Sequence, residues 1–120
     1  MSESRYLLDT SAILTFLEDE DGAERVEKLL RQEAVLLPFM ALLETYYITR
    51  KEQTEDVADR RYALLKQLPV TFLWNIDEPT LLTAARIKAI HRLSLADAII
   101  AAFTWQQGPF SYTNIQSLRR

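Results

Sequence analysis

Three acidic residues in the 120-residue chain stand apart from the others: Asp9, Glu44 and Asp97. Each is isolated in an apolar stretch, whereas most other acids fall in solvated runs such as Glu18-Asp19-Glu20-Asp21. Asp9 is the only charged residue between Arg5 and Glu18, and Glu44 interrupts the run LPFMALLETYY. Carboxylates brought together in apolar surroundings repel, and they are costly unless paired, protonated or bound to a cation. An all-oxygen donor set of this kind suits Mg2+ or Mn2+.

Each acid also has a purely structural explanation. Asp9 follows a short apolar run and precedes a helical pattern, where an aspartate caps the first turn. Glu44 could point to solvent from the opposite face of its helix. Ser94 and Asp97 have the S-x-x-[DE] spacing of a capping box, and an acid in a first turn also suits the helix dipole. On the residues alone, both readings stay open for each acid.

The elements that must position these residues follow from periodicity. Tyr6 to Leu8 reads as a buried strand and Thr10 to Leu17 as a helix. Beyond Gly22 comes a helix with Val26, Leu29 and Leu30 on its apolar face. Ala34 to Leu37 is a second strand, and from Pro38 a helix runs to about Lys51 with Leu42, Leu43, Tyr46 and Tyr47 inward. Thr54 to Gln67 is helical, with Val57, Tyr62, Leu64 and Leu65 on its buried side. Val70 to Trp74 is a third strand. Asp77 caps a helix that has Pro79 in its first turn and Leu81, Leu82, Ala85 and Ile87 as its apolar face. Ser94 opens a helix from Leu95 to Trp105, apolar enough to be buried nearly all round. Gly108-Pro109 stops it, and Phe110 to Tyr112 is a last short strand. Strands alternating with helices predict an α/β fold, a three-layer α/β/α sandwich with a mostly parallel central sheet. Sites in such sheets form beyond the C-terminal strand ends, where Asp9 falls.

Composition narrows the class further. The length fits a single domain spanning residues 1–120. A hydrophobic content of 48% is enough for a full core. The absence of cysteine excludes disulfides and thiolate chemistry and suits a reducing compartment. No apolar run reaches the length of a membrane span and the N-terminus lacks signal-peptide character, so the expected location is the cytoplasm. A net charge of −3 weighs against passive nucleic-acid binding by charge alone. It weighs less against an enzyme that uses divalent metal, because a bound cation reverses the local field.

Taken in order, YLLDTSAIL, LLETYY and RLSLADAIIAA resemble the PIN domain, and within it the VapC-like toxins of bacterial toxin–antitoxin pairs. The resemblance spans nearly the whole chain, and AARIKAIHRLSLADAIIAA is its most specific part. It implies that Asp9, Glu44 and Asp97 are metal-binding acids and that Ser11 hydrogen-bonds within the site. It implies Mg2+- or Mn2+-dependent endonucleolytic hydrolysis of RNA by metal-activated water, and an antitoxin partner whose tail occupies the active-site groove. The chain departs from the family where many members carry a fourth acid in a T-x-D arrangement. Here the stretch is Tyr112-Thr113-Asn114-Ile115, and no Asp or Glu follows Asp97. Asn114 could still offer a neutral oxygen; Ile115 could not. Met40 stands where a small hydroxylated residue is usual.

Lys88 and Arg92, with Arg86, form a possible basic edge for RNA phosphates, against the plain reading of a solvated helix C-terminus. His91, the only histidine, reads as an exposed turn residue. Tyr46, Tyr47, Trp74, Phe103 and Trp105 could stack on bases, although aromatics at helical spacing more often serve core or interface. Phe16, Tyr46 and Tyr47 are candidates for a homodimer or antitoxin surface. The rival to a nuclease is a catalytically weak or inactive PIN-like domain that binds protein or RNA. A response-regulator-like domain would need an acidic pair at the end of the first strand and a lysine after a late strand, and the sequence has neither an Asp-Asp pair there nor a suitably placed lysine.

Overall fold

The structure, a computed structural model, describes residues 5–32, 34–106 and 112–114. In chain order the elements are β1 (Arg5–Leu7), α1 (Thr10–Leu17), α2 (Ala23–Gln32), β2 (Ala34–Pro38), α3 (Phe39–Glu52), α4 (Glu55–Lys66), β3 (Thr71–Leu73), α5 (Glu78–Ile90), α6 (Leu95–Gln106) and β4 (Tyr112–Asn114). All strand pairs are parallel, and the sheet order is β3-β2-β1-β4. Helices flank the sheet in the three-layer α/β/α arrangement that the alternation predicts.

Local chemistry sets where the helices begin. Asp9, Thr54 and Asp77 accept the backbone N–H of Ala12, Val57 and Thr80 respectively, each three residues on. Gly22 turns the chain into α2 with φ 99°, a conformation without steric cost only for glycine. Pro38 closes β2, where its missing N–H is tolerated, and leads directly into α3. The core forms where β1 and β2 meet the helices, around Leu7, Leu8, Ile13, Val26, Leu37 and Leu65. Phe103 of α6 joins it and meets Phe39 edge-on at 5.9 Å.

Several faces differ from the periodicity reading. α3 buries Ala41, Leu42, Thr45 and Thr49, while Leu43 and Tyr47 are exposed. α4 buries Ala58 and Leu65, and Leu64 is exposed. α5 buries Thr80, Thr83 and Ala84 and leaves Leu81 and Leu82 outward. The physical reason is clearest in α3 and α5. These helices pack against other helices, α3 on α1, α4 and α6 and α5 on α6. Small side chains on the contact face permit close approach, so the larger residues turn away. α6 has no exposed residue from Ala96 to Thr104, close to the all-round burial expected of it; only its ends, at Leu95, Trp105 and Gln106, are exposed. Gly108, Pro109 and Phe110 lie outside the described residues; the last described strand is Tyr112–Asn114, two residues later than the expected one.

Candidate active site

The strand order places a topological switch beside β1. From β1 the chain steps to β2 and β3 on one side, whereas β4 returns to the other. Ligands in open parallel sheets bind at such a switch, outside the carboxyl ends of the strands. Asp9 lies there, two residues beyond Leu7. Asn114 lies on the other side of the crevice, since β4 pairs with β1 in the register Leu7 to Asn114.

Asp9 is 97% shielded from solvent, at 3% relative exposure. Its Oδ1 accepts the Ala12 N–H at 2.9 Å and the Ser11 hydroxyl at 3.0 Å. Its Oδ2 is buried and has no hydrogen-bond partner. A buried carboxylate oxygen left in this way costs more than a neutral group, about 1–3 kcal/mol or above. The cap and the unpartnered oxygen belong to the same side chain, so the structural and chemical readings of Asp9 hold together.

Glu44 is half-buried on α3 rather than directed wholly to solvent. The Thr10 hydroxyl donates to its Oε1 at 2.5 Å. Thr10 follows Asp9 directly and is itself buried, so the first turn of α1 ties Glu44 to the residue beside Asp9. The sequence reading passed over Thr10. Its signal was the hydroxyl between Asp9 and Ser11 in the D-T-S motif.

Asp97 is half-buried in the first turn of α6, and Ser94 Oγ accepts its backbone N–H at 3.0 Å, as the capping-box spacing predicts. α6 packs on α3, the helix that carries Glu44. Among the described residues, no group of three or more acids or histidines stands close enough to hold a metal ion together. The structure thus joins Glu44 to the Asp9 turn and holds Asp97 on the neighbouring helix.

The remaining predicted residues are more dispersed. Lys88, His91 and Arg92 are exposed at the end of α5 and just beyond it. Tyr47 is exposed, while Tyr46 is half-buried, packs edge-on to Tyr62 and donates its hydroxyl to Asp59 at 2.6 Å. That bond to a carboxylate raises the pKa of Tyr46 above the ordinary phenol value. Phe16 is half-buried. Ile115 lies outside the described residues.

The donor chemistry passes a simple test for a divalent cation. Asp9 Oδ2 is an orphaned, buried anionic oxygen, and the other candidate donors are carboxylate oxygens. Hard cations such as Mg2+ and Mn2+ prefer these ligands.

The PIN domain family model matches residues 6–108 of the chain. No curated protein sequence matches it. Among solved structures, the chain is similar to VapC20 of Mycobacterium tuberculosis, a sarcin-ricin loop cleaving toxin, at 16% identity and TM-score 0.68, covering 86% of this chain and 83% of that one. It is similar to a chain of VapBC2 from Rickettsia felis, bound to a DNA fragment from their promoter, at 11% identity and TM-score 0.64, covering 92% and 98%. It is also similar to a chain of VapBC-1 from nontypeable Haemophilus influenzae, at 21% identity and TM-score 0.62, covering 86% and 81%. At these identities the likeness is one of fold.

Proposed function

The chain belongs to the PIN-domain family, and from that premise we propose that it is a metal-dependent endoribonuclease toxin of the VapC kind. The observation that carries the reading is Asp9: a buried carboxylate at the topological switch, with one oxygen fixed by the helix cap and the other without a partner. Asp9, Glu44 and Asp97 would hold the cation, with Asn114 as a neutral donor across the crevice. When bound, Mg2+ or Mn2+ would supply Lewis acidity toward the phosphodiester and lower the pKa of a water.

The chain's own residues prepare that site. Ser11 and the Ala12 N–H hold Asp9 Oδ1, so the carboxylate cannot rotate freely and Oδ2 stays presented. Thr10 fixes Glu44 by its hydroxyl. Ser94 sets the first turn of α6 and with it the backbone of Asp97. Burial of Asp9 excludes bulk water and strengthens electrostatic interactions with it. Lys88 and Arg92 are exposed and available to phosphates farther along the RNA.

Structures similar in fold include VapBC assemblies, which supports an antitoxin partner for this chain; a homodimeric, cytoplasmic state is part of the same proposal. Among the described residues, no helix is long and apolar enough to cross a membrane. The second reading is a PIN-like binding module without catalysis. The observation on its side is that, among the described residues, the three acids do not form one group that could hold a metal ion, in a chain with no acid after Asp97.

The deciding experiment is cleavage of a panel of quenched fluorescent RNAs in Mg2+, Mn2+ or EDTA by wild type and Asp97→Asn. Metal-dependent cleavage that vanishes in the variant is the expected result. Wild type and variant equally inactive on every RNA with either metal would favour the binding module.

A further inference from the structure

A second feature suited to a ligand lies at the β3 edge of the sheet. Phe72 and Trp74, two residues apart at the end of β3, stack with ring centroids 5.6 Å apart and planes inclined by 24°. The Lys66 ammonium, at the end of α4, lies 5.1 Å from the Phe72 ring centre and 5.2 Å from that of Trp74. Trp74 nevertheless keeps 48% of its surface in solvent. Beside it opens a cleft of about 300 Å3, lined by Trp74, Asn75, Asp77, Thr80, Phe103 and Gln106. The Gln106 amide is held there by donating to Thr83 Oγ1 at 2.8 Å.

We propose that Trp74, with Phe72 and Lys66, forms a subsite for one unpaired nucleotide of a single-stranded RNA, its base lying on the indole and its phosphate against the Lys66 ammonium. Three observations converge. An exposed indole stacked on a second ring is a platform for a base, since every base presents a π-face. The Lys66 ammonium, held over the two rings, brings a positive charge to the platform in a chain of net charge −3, close to where the phosphate of a nucleotide on the indole would pass. Asn75 and Gln106 bring amides, able to donate and accept, to the cleft where a base edge would lie. Asp77 is the opposing charge in the cleft; its carboxylate is engaged at Oδ1 by the Thr80 N–H.

This inference rests on the ribonuclease reading for its substrate, and the sheet geometry links the two sites. All strands are parallel, so the end of β3 and the end of β1 open to the same side. Neighbouring strands lie about 4.8 Å apart, which puts β3 about 10 Å across the sheet from β1, with β2 between. One strand of RNA can span that interval in a few nucleotides. Trp74 would then grip a flanking nucleotide while the phosphodiester to be cut lies at Asp9.

The test uses the full chain carrying Trp105→Phe, which leaves Trp74 as the sole tryptophan. A random-sequence eight-nucleotide single-stranded RNA is titrated in EDTA, with Trp74 emission read beside the anisotropy of labelled RNA. Saturable quenching that tracks the anisotropy is expected, with none from blunt duplex RNA. In the wild-type background, Trp74→Ala should weaken binding about tenfold or more while Trp74→Phe retains most of it. Lys66→Gln should flatten the salt dependence by about 0.7 in the slope of log affinity against log salt. RNA that binds without quenching Trp74, or with equal affinity in Trp74→Ala, overturns the subsite, as does failure to bind RNA at all. Failure of the ribonuclease reading looks different: Trp74-dependent binding would persist, with no cleavage in any metal.

Discussion

If Asp9 is a metal ligand, cation binding must appear in the stability of the fold before any RNA is added. The informative change is Asp9→Asn. Asparagine keeps the oxygen that accepts from Ala12, and Asn and Asp are nearly equal N-caps. It replaces the partnerless Oδ2 with an amide nitrogen and removes a buried negative charge. In EDTA the variant should therefore stay within about 1 kcal/mol of wild type, or exceed it. A cation that binds only the native state at 100 times its Kd stabilises by about 2.7 kcal/mol. An unfolding entropy of about 2.1 cal/mol/K per residue gives about 0.25 kcal/mol/K for a chain of this length, hence a rise in Tm of about 10 °C. Thermal melts followed by circular dichroism, in EDTA and across a Mn2+ titration, should show that rise in wild type and almost none in Asp9→Asn. Equal shifts in both proteins would place the cation elsewhere; no shift in wild type at millimolar Mn2+ would refute a site at Asp9. Because RNA plays no part, the result does not depend on any choice of RNA substrate.

Three further outcomes follow from contacts in the same structure. Thr10→Val removes the hydroxyl that holds Glu44 and should weaken Mn2+ affinity about 10- to 100-fold by calorimetry, with recovery in Thr10→Ser. Leu65→Ala should lower stability by about 2–5 kcal/mol in urea unfolding, since Leu65 points from α4 into the main core. Asp77 has a pKa lowered from 3.8 by the side-chain and backbone hydrogen bonds of Thr80. A depressed folded-state pKa adds stability that is fully present above the unfolded value and disappears as pH falls through the folded one. The Tm gap between wild type and Asp77→Ala should be constant above about pH 5 and narrow below pH 4; a gap that widens toward low pH would reverse the sign.

The order and type of the elements were legible because buried parallel strands and capped helices leave local marks. Asp9, Thr54, Asp77 and Ser94 each stand one position before a helix and each accepts the backbone N–H three residues on. Those signals depend only on nearby chain. Which side of a helix turns inward depends on what packs against it, and that information is not local. Leu81 and Leu82 look like core by hydropathy, yet Thr80, Thr83 and Ala84 occupy the contact with α6. The same effect hid the inward face of α3, where Thr45 and Thr49 are buried and Leu43 and Tyr47 are not. Hydropathy ranks residues by their cost in water, whereas close helix packing selects them by size.

The acids show why the site was harder to read than the fold. A helix cap and a metal ligand were set against each other for Asp9, but a carboxylate has two oxygens and the structure uses them differently. Oδ1 is committed to Ser11 and Ala12, and that commitment fixes where Oδ2 lies. A cap therefore makes a better ligand of Asp9 by restricting its rotation in advance. Asp97 differs, because its cap belongs to Ser94 and acts on the Asp97 backbone rather than on its carboxylate. On the proposed reading Asp9, whose carboxylate is held at one oxygen, would set the position of a cation, and Asp97, whose cap engages only its backbone, would be the ligand that adjusts to it. Asp97→Glu, which lengthens the adjustable arm, should then retain more Mn2+ affinity than Asp9→Glu, in which the fixed oxygen is displaced together with the cap. Calorimetric Mn2+ titration of the two variants checks this order, and equal losses would mean that both acids are held alike.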